Sequence, residues 1–342
     1  MRNAGKATLF ALAVISIWRG LPAFGNDGAA SVGAGGIQLK REVRISMEKE
    51  RLTISRDKIT VEYEFLNDTD NEITTEIAFP VPPYDEQFET ASFPKRLDDF
   101  RVWVDGHEVR YQTDVKAMLN GVDHSALLQK LGVDVASLGH WTSDQRSEPY
   151  SPDVEKLSRS QRDELKRLGL ISSHNGFMAW TVVKTYHWPQ TFQAHKILQA
   201  RHVYAPILGF GPLQPEVVFP VPRPERTPEF AKAVRDSCMD EVLQKTLTAA
   251  ARKEKKQEGG YIGSESVDYI LTTANTWRTP IKDFELIVER PTPKSATPGA
   301  SHWSVSFCWD GPVKRLDADH FVARLINFVP KRELHVAYFA VE

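Results

Sequence analysis

The stretch ITVEYEFLNDTDNEITTEIAFPVP, residues 59–82, decides the fold class of this chain. Apolar and polar residues alternate in ITVEYEFLN and again in ITTEIAF, a pattern typical of strands with one buried face. Between these runs lies NDTDN, residues 67–71, which is rich in turn-forming residues. The prolines at 80, 82 and 83 lack a backbone donor and should end the second strand. The stretch therefore predicts a hairpin in a half-buried sheet.

The last four residues of this stretch occur twice in the chain. Phe-Pro-Val-Pro occupies positions 79–82 and 219–222, but the preceding residues match only as TEIA against PEVV. One repeated tetrapeptide is expected about once by chance in a chain of this length. We therefore interpret the two copies as separate strand ends and not as a repeated module.

A second hairpin is predicted around Asp105-Gly106. Phe100, Val102 and Val104 alternate with polar residues before this pair, and HEVRYQTDV follows it. Asp-Gly is a favoured two-residue turn between antiparallel strands, so we expect a tight turn here.

The order of patterns along the chain predicts a fold that is mainly β with α insertions. Strand patterns fill residues 26–115, helical spacing of leucines fills 116–175, and strand patterns return in 176–342. We expect two β-sandwich-like domains with a helical insertion between them. One long helix, near 228–256, is expected in the second domain.

Helix-capping residues mark the predicted insertion. Asp123 is positioned to cap one short helix, and Ser158 with Gln161 has the spacing of a capping box at the start of another. Both predicted helices are too short to be stable alone and must pack on a sheet or on each other.

The amino terminus has the pattern of a secretory signal. Arg2 and Lys6 precede an apolar run over residues 7–18, and small residues follow at Ala23 and Gly25. Twelve apolar residues in a helix rise only about 18 Å, too little for a bilayer core of about 30 Å. We expect cleavage near Gly25, a periplasmic or secreted mature chain, and no stable membrane insertion.

The charge of the chain makes nucleic acid an unsuitable partner. Without residues 1–25, which hold three basic and no acidic side chains, 40 basic residues face 45 acidic ones. The one dense basic run is RKEKK, residues 252–256, which we interpret as a solvated helix end. Nucleic acids and anionic membranes require clustered basic residues, so neither is expected to be the main partner.

The chain has two cysteines, Cys238 and Cys308. In an oxidising compartment such a pair tends to form a disulfide. The loop closed by this bond has about 70 residues, which corresponds to roughly 4 kcal/mol in the chain-entropy treatment. The alternative is two buried free thiols.

Several segments occur in a recognisable order after residue 59. They include FRVWVDG at 100–106, YHWPQTF at 186–192, TTANTWRTPI at 272–281 and NFVPKREL at 327–334. With them the chain resembles the secreted bacterial family called domain of unknown function 4424, over nearly its whole length after the signal. This resemblance implies export, and the family supplies no activity, ligand or catalytic residue. The amino-terminal part is also similar in layout to the vault and inter-alpha-trypsin type domain.

The sequence contains no recognised catalytic or cofactor motif. There is no nucleotide-binding loop and no GxSxG, HExxH or Cys-His signature. His187, His195 and His202 lack the spacing of a metal site, and no cofactor is expected. The carboxylates of Asp236 and Asp240 are interpreted as solvated charges on one helix.

Aromatic residues crowd the segment around YHWPQTF. Trp180, Tyr186, Trp188 and Phe192 lie within thirteen positions. Exposed rings of this kind can stack on sugars or peptides, and the alternative is packing in the core. We hypothesise that Trp188 and Gln190 are exposed and that Tyr186 and His187 lie with them at a contact surface.

Two functions from different classes are compatible with these patterns. The first is a non-enzymatic binding or envelope-assembly protein whose partner is an envelope protein or a glycan. The second is an envelope hydrolase with dispersed carboxylates, possibly acting on glycans. A cleft with two facing carboxylates of raised pKa favours the hydrolase, and an aromatic groove favours binding.

Overall fold

The computed structural model describes residues 26–33, 36–85, 99–136, 152–172, 178–210, 213, 215–218, 228–254, 262–291 and 302–341. The predicted signal segment and the second Phe-Pro-Val-Pro, at 219–222, lie outside these residues.

The strands are β1 Gly28–Gly33, β2 Gly36–Leu39, β3 Ile45–Ile54, β4 Ile59–Asn67, β5 Ile73–Pro80, β6 Arg101–Val104, β7 His107–Glu108, β8 Gln112–Leu119, β9 Val122–Asp123, β10 Thr181–Phe192, β11 Lys196–Tyr204, β12 Leu208–Phe210, β13 Gly263–Tyr269, β14 Ile281–Glu289, β15 His302–Phe307, β16 Val313–Arg315, β17 His320–Phe328 and β18 Leu334–Val341. The helices are α1 Ser125–Lys130, α2 Pro152–Glu155, α3 Arg159–Arg167, α4 Pro215–Val218, α5 Pro228–Asp236 and α6 Glu241–Glu254, with a 3-10 helix at Thr272–Thr276. None of the described helices is long and apolar enough to cross a membrane.

These strands form three sheets, so the fold is mainly β with α insertions as predicted. The first sheet has six strands in the order β2-β1-β5-β10-β8-β9. The second has eight, in the order β16-β17-β14-β3-β4-β11-β6-β7, and the third has four, in the order β12-β13-β18-β15. Within the described part of the chain, β3 and β14 are the one parallel pair.

The predicted hairpin over residues 59–82 is wrong in its pairing. Both runs are strands, but β4 pairs with β3 and β11 in the second sheet, whereas β5 pairs with β1 and β10 in the first. The turn NDTDN thus carries the chain from one sheet to the other. Asn67, the first residue of this turn, stabilises it. Its Oδ1 accepts hydrogen bonds from Thr69 N at 3.1 Å and from Thr69 Oγ1 at 2.7 Å.

The second predicted hairpin is confirmed. Val104 pairs with His107 across Asp105 and Gly106. Both turn residues have positive φ, 47° and 81°, as a tight turn between twisted antiparallel strands requires.

One continuous apolar core joins all three sheets. It includes Ile77 and Trp188 of the first sheet, Tyr63 and Leu286 of the second, and Tyr338 of the third, each at most 2% exposed. Strands from 26–115 and from 176–342 share the second sheet and this core. The two predicted β regions therefore do not form two separate sandwiches.

Helices pack at two further places. Helices α1 and α3 and their flanking segments bury Leu128 and Leu165 against Ala117 of β8 and Val182 of β10. The capping box at the start of α3 is confirmed, with Ser158 Oγ accepting from the backbone N–H of Gln161. Helices α5 and α6 cover the face of the third sheet that points away from the shared core.

The single helix predicted near 228–256 is instead two helices, α5 and α6. The break falls at Cys238, whose φ is 51° and therefore outside the helical range. Cys238 is bonded to Cys308, so the predicted disulfide is confirmed, with 70 residues between the two cysteines. Asp236 is the last residue of α5 and Asp240 precedes α6, so the two carboxylates do not share one helix.

Candidate functional site

A cavity with mainly apolar walls lies on the first sheet, and we call it the sheet groove. Its volume is about 600 Å³. It is lined by Ile37 and Leu39 of β2, Pro80 at the end of β5, Asp114, Lys116 and Met118 of β8, and Thr181, Val183 and Thr185 of β10, together with Val81 and Pro83 after β5 and Gln38, Asn120 and Gly121. The first Phe-Pro-Val-Pro therefore ends at this groove.

Strand alternation explains which side chains reach the groove. Successive residues of a strand point to opposite faces of a sheet. On β10, Val182 packs with the helices and Tyr186 with the shared core, whereas Val183 lies on the opposite face. The register pairs Thr181 with Met118 and Val183 with Lys116, so both strands present the groove residues on the same face.

The groove has one polar side. Lys116 Nζ lies 3.7 Å from Asp114 Oδ2, and the same carboxylate oxygen accepts a hydrogen bond from Ile37 N at 3.2 Å. Gly36 adopts a φ of 88°, and a Cβ there would collide with the Asp114 carboxylate. The β2 backbone thus needs glycine to approach Asp114, which places an ion pair beside an otherwise apolar surface.

The predicted exposure of Trp188 is wrong. The Trp188 side chain is 1% exposed and packs edge-on against the His202 ring at 5.3 Å between centroids. Tyr186 is 2% exposed and stacks on Phe100 at 4.1 Å. Both rings belong to the shared core because they lie on the face of the first sheet that packs against the second.

Of the other two predicted contact residues, His187 points away from that core, whereas Gln190 lies by alternation on the same face of β10 as Trp188. His187 is 7% exposed, and its Nδ1 lies 2.6 Å from Glu76 Oε1 on the neighbouring strand. Gln190 is half-buried and donates from Nε2 to the backbone oxygen of Thr191 at 2.9 Å. By alternation, His187 lies on the groove face of β10, two residues beyond Thr185.

The three histidines considered in the sequence lie in three different places. His187 contacts Glu76, His195 contacts Asp70 at 2.9 Å on the surface, and His202 is fully buried. Within the described residues, no group of three or more His, Cys, Asp or Glu could hold a metal ion.

The sequence reasoning missed the half-buried Trp103, which lies in a second cavity of about 520 Å³ on the second sheet. The guanidinium groups of Arg101 and Arg201 lie 4.8 and 5.4 Å from its ring centroid. The alternation of FRVWVDG was a usable signal, because Val102 and Trp103 must face opposite sides. We call this cavity the Trp103 cleft.

The carboxylates of the Trp103 cleft are engaged by cations. Glu62 lies 3.8 Å from Arg201, and Glu64 lies 3.4 Å from Lys49. A hydrolase of the predicted kind requires one carboxylate to be protonated and to face a second. Both carboxylates are paired with basic side chains and not with each other, so this cleft suits polar contacts.

A buried polar cluster, also missed by the sequence reasoning, lies between the sheets, and we call it the Asn26 cluster. It consists of Asn26, Asp27, Glu50, Tyr63, His202, Tyr269 and Thr273, each at most 2% exposed. Asn26 Nδ2 lies 3.0 Å from both Glu50 carboxylate oxygens, and Tyr63 donates to Asn26 Oδ1. None of these residues lines the sheet groove, and of them only Tyr63 lines the Trp103 cleft.

Burial controls the protonation of this cluster. Burial raises the pKa of Glu50 to about 8 against the opposing hydrogen bond from Asn26, and burial with the nearby Glu50 charge raises that of Asp27 well above its usual range. Burial also lowers the pKa of His202 to about 3. Both acids and the imidazole are therefore held in their uncharged forms while no cation is present.

The chain belongs to the family described as Domain of unknown function (DUF4424), which matches residues 25–337. No curated protein matches it. Among solved structures, "a putative nutrient binding protein" of Legionella pneumophila is similar at 12% identity and a TM-score of 0.39, covering 92% of this chain and 70% of that one. An M1 zinc metallopeptidase of Deinococcus radiodurans is similar at 8% identity and a TM-score of 0.26, covering 88% and 43%. Likeness at these levels assigns neither ligand nor activity.

Proposed function

We propose that this member of the DUF4424 family is an exported, non-enzymatic binding protein that holds an amphipathic small molecule in the sheet groove. The observation that carries the proposal is the groove itself, about 600 Å³ in volume, with an apolar surface and the Lys116–Asp114 pair at one side. Ligand sites typically measure about 300–1,000 Å³ and combine apolar walls with a few polar groups. A molecule with an apolar body and a polar head matches the apolar surface and the Lys116–Asp114 pair of the sheet groove.

Export is supported by two features of the chain. Residues 1–25 have the order of basic, apolar and small residues expected of a secretory signal. The Cys238–Cys308 bond is of a kind that persists in oxidising compartments and is rare in the cytosol. The predicted destination is the periplasm or the medium.

Binding should depend on the apolar surface of the groove. We expect Val183→Asp to weaken binding of dodecanoate by at least about tenfold, since the added charge must be desolvated against the apolar part of the ligand. Val183 is half-buried in the groove, so the aspartate can remain hydrated in the empty protein and folding is preserved. Titration calorimetry of the purified chain measures the change.

Two matched variants control this experiment. Ile326→Asp places the same charge on β17 of the second sheet, at a residue that is 65% exposed, and should leave dodecanoate binding unchanged. Trp103→Ala alters the other cavity and should also leave it unchanged. Equal binding by Val183→Asp and the unaltered chain contradicts the proposal. Loss of dodecanoate binding in Trp103→Ala alone places the dodecanoate site in the Trp103 cleft and also contradicts the proposal.

A further inference from the structure

Two buried acids in the Asn26 cluster, Asp27 and Glu50, have no lysine or arginine partner among the described residues. Natural proteins rarely bury carboxyl groups fully unless they are paired. The cluster therefore has the composition of a cation site.

The histidine beside these acids is also incompletely bonded. His202 is fully buried, and its Nε2 lies 3.4 Å from Asp27 Oδ2, which is long for a hydrogen bond. In the part of the chain that the structure describes, neither ring nitrogen of His202 has a hydrogen-bond partner, and neither does Asp27 Oδ1. A buried polar atom without a hydrogen-bond partner destabilises the folded protein. The site is therefore incomplete without a further donor.

The backbone nitrogen of Asn26 lies inside this cluster. It donates to Thr273 Oγ1 at 2.5 Å, while the side chain of the same residue contacts Glu50 and the next residue is Asp27. As part of a peptide bond this nitrogen is neutral and has one N–H, which Thr273 already accepts. As a chain terminus it would have three N–H donors and a positive charge.

We propose that the chain is cleaved between Gly25 and Asn26, and that the new α-ammonium group of Asn26 is the missing cation of the buried cluster with Glu50 and Asp27. This inference rests on the export part of the proposed function. Hydrolysis of that peptide bond by an endopeptidase of the export machinery consumes one water and leaves a carboxylate on the released segment. The amino group of Asn26 takes up a proton.

Cleavage at this bond changes the electrostatics of the interior. An α-amino group has a pKa of about 7.7–8.0 when unperturbed, and nearby carboxylates favour its charged form. The positive charge in turn favours ionisation of Glu50, so a neutral pair of acids becomes an ion pair with additional hydrogen bonds. Because the cluster joins β3, β4, β11, β13 and the 3-10 helix, this pairing ties the second sheet to the third.

The test compares two chains that differ by one residue. One begins at Asn26, the other at Gly25, and every described strand and helix lies within both. We expect the Asn26 chain to melt higher by roughly 5 °C, because an unpaired buried charge or acid is strongly destabilising relative to a completed pair. Equal melting temperatures overturn the proposal.

Substitution of the acid shows whether the ion pair is responsible. In a Glu50→Gln background, the difference between the Gly25 and Asn26 chains should fall to less than half. The matched control is Glu62→Gln at the surface, which should preserve it. If Glu50→Gln does not fold, Asp27→Asn serves in its place. If the difference in melting temperature persists undiminished in the Glu50→Gln background, or in the Asp27→Asn background that replaces it, the role of the acids is overturned.

Processing itself is measured on the exported protein. Its intact mass should correspond to a first residue of Asn26, and a mass that retains any of residues 1–25 overturns the cleavage site.

The melting experiment on the Asn26 and Gly25 chains and the dodecanoate titration test the two proposals separately. Chains that melt alike yet bind dodecanoate refute only the α-ammonium, whereas chains that differ in melting but bind nothing refute only the groove.

Discussion

Replacing Trp188 by alanine should lower the free energy of unfolding by about 3–5 kcal/mol. The ring is 1% exposed and lies in the core that joins the three sheets, where its neighbours include the His202 ring. Removal leaves a cavity that β10 cannot close by moving, because Trp188 is paired with Ile77 of β5 and the preceding residues of β10 are also paired with β8. Urea unfolding followed by circular dichroism gives the change directly.

Two further variants distinguish core packing from a contact role. Trp188→Phe keeps an aromatic ring in the cavity and removes an indole N–H that has no hydrogen-bond partner among the described residues, so it should cost less than half as much as alanine. Trp103→Ala, at a half-buried ring on the second sheet, should change stability by less than about 1 kcal/mol. If Trp188→Ala is as stable as the unaltered chain, the core placement of Trp188 is contradicted.

The burial of Trp188 shows where strand alternation stops being informative. Strand alternation places Tyr186 and Trp188 on one face of β10 and His187 on the other, as in the structure. It does not say which face is covered. That depends on which sheet lies opposite, and the second sheet, which covers Trp188, includes strands from distant parts of the chain such as β3, β4 and β14.

The pairing partners of the strands could not be predicted from local sequence patterns for the same reason. The patterns located β4 and β5 correctly, and the Asp105-Gly106 turn and the capping box of Ser158 were recognisable because their signals are local. NDTDN is equally suited to a hairpin and to a crossing between sheets. The pairing of β5 with β10, which places β5 in the first sheet, joins residues more than one hundred positions apart.

The candidate sites were also out of reach of local patterns. The sheet groove needs β2, β5, β8 and β10 side by side, and the Asn26 cluster needs Glu50 and Thr273 beside Asn26. Neither set is close in sequence. The disulfide was predictable because compartment and cysteine count limit the possibilities to one pair.

Loss of the Cys238–Cys308 bond should lower the free energy of unfolding by about 4 kcal/mol, because the released unfolded chain regains the freedom of a loop of about 70 residues. The bond attaches the turn between α5 and α6 to the end of β15, next to a hydrogen bond from Ser306 Oγ to the Ser237 backbone oxygen at 2.7 Å. Without the disulfide, the two helices are held on the third sheet only by apolar packing and by contacts such as this hydrogen bond.

The measurement is urea unfolding of the unaltered chain and of the variant with both Cys238→Ser and Cys308→Ser, each with and without dithiothreitol. Cys238 is exposed and Cys308 half-buried, so the reductant can reach the bond in the folded protein. We expect the unaltered chain under reducing conditions to match the serine variant, and the variant to be insensitive to dithiothreitol. Equal stability with and without the bond would contradict the chain-entropy account of its contribution.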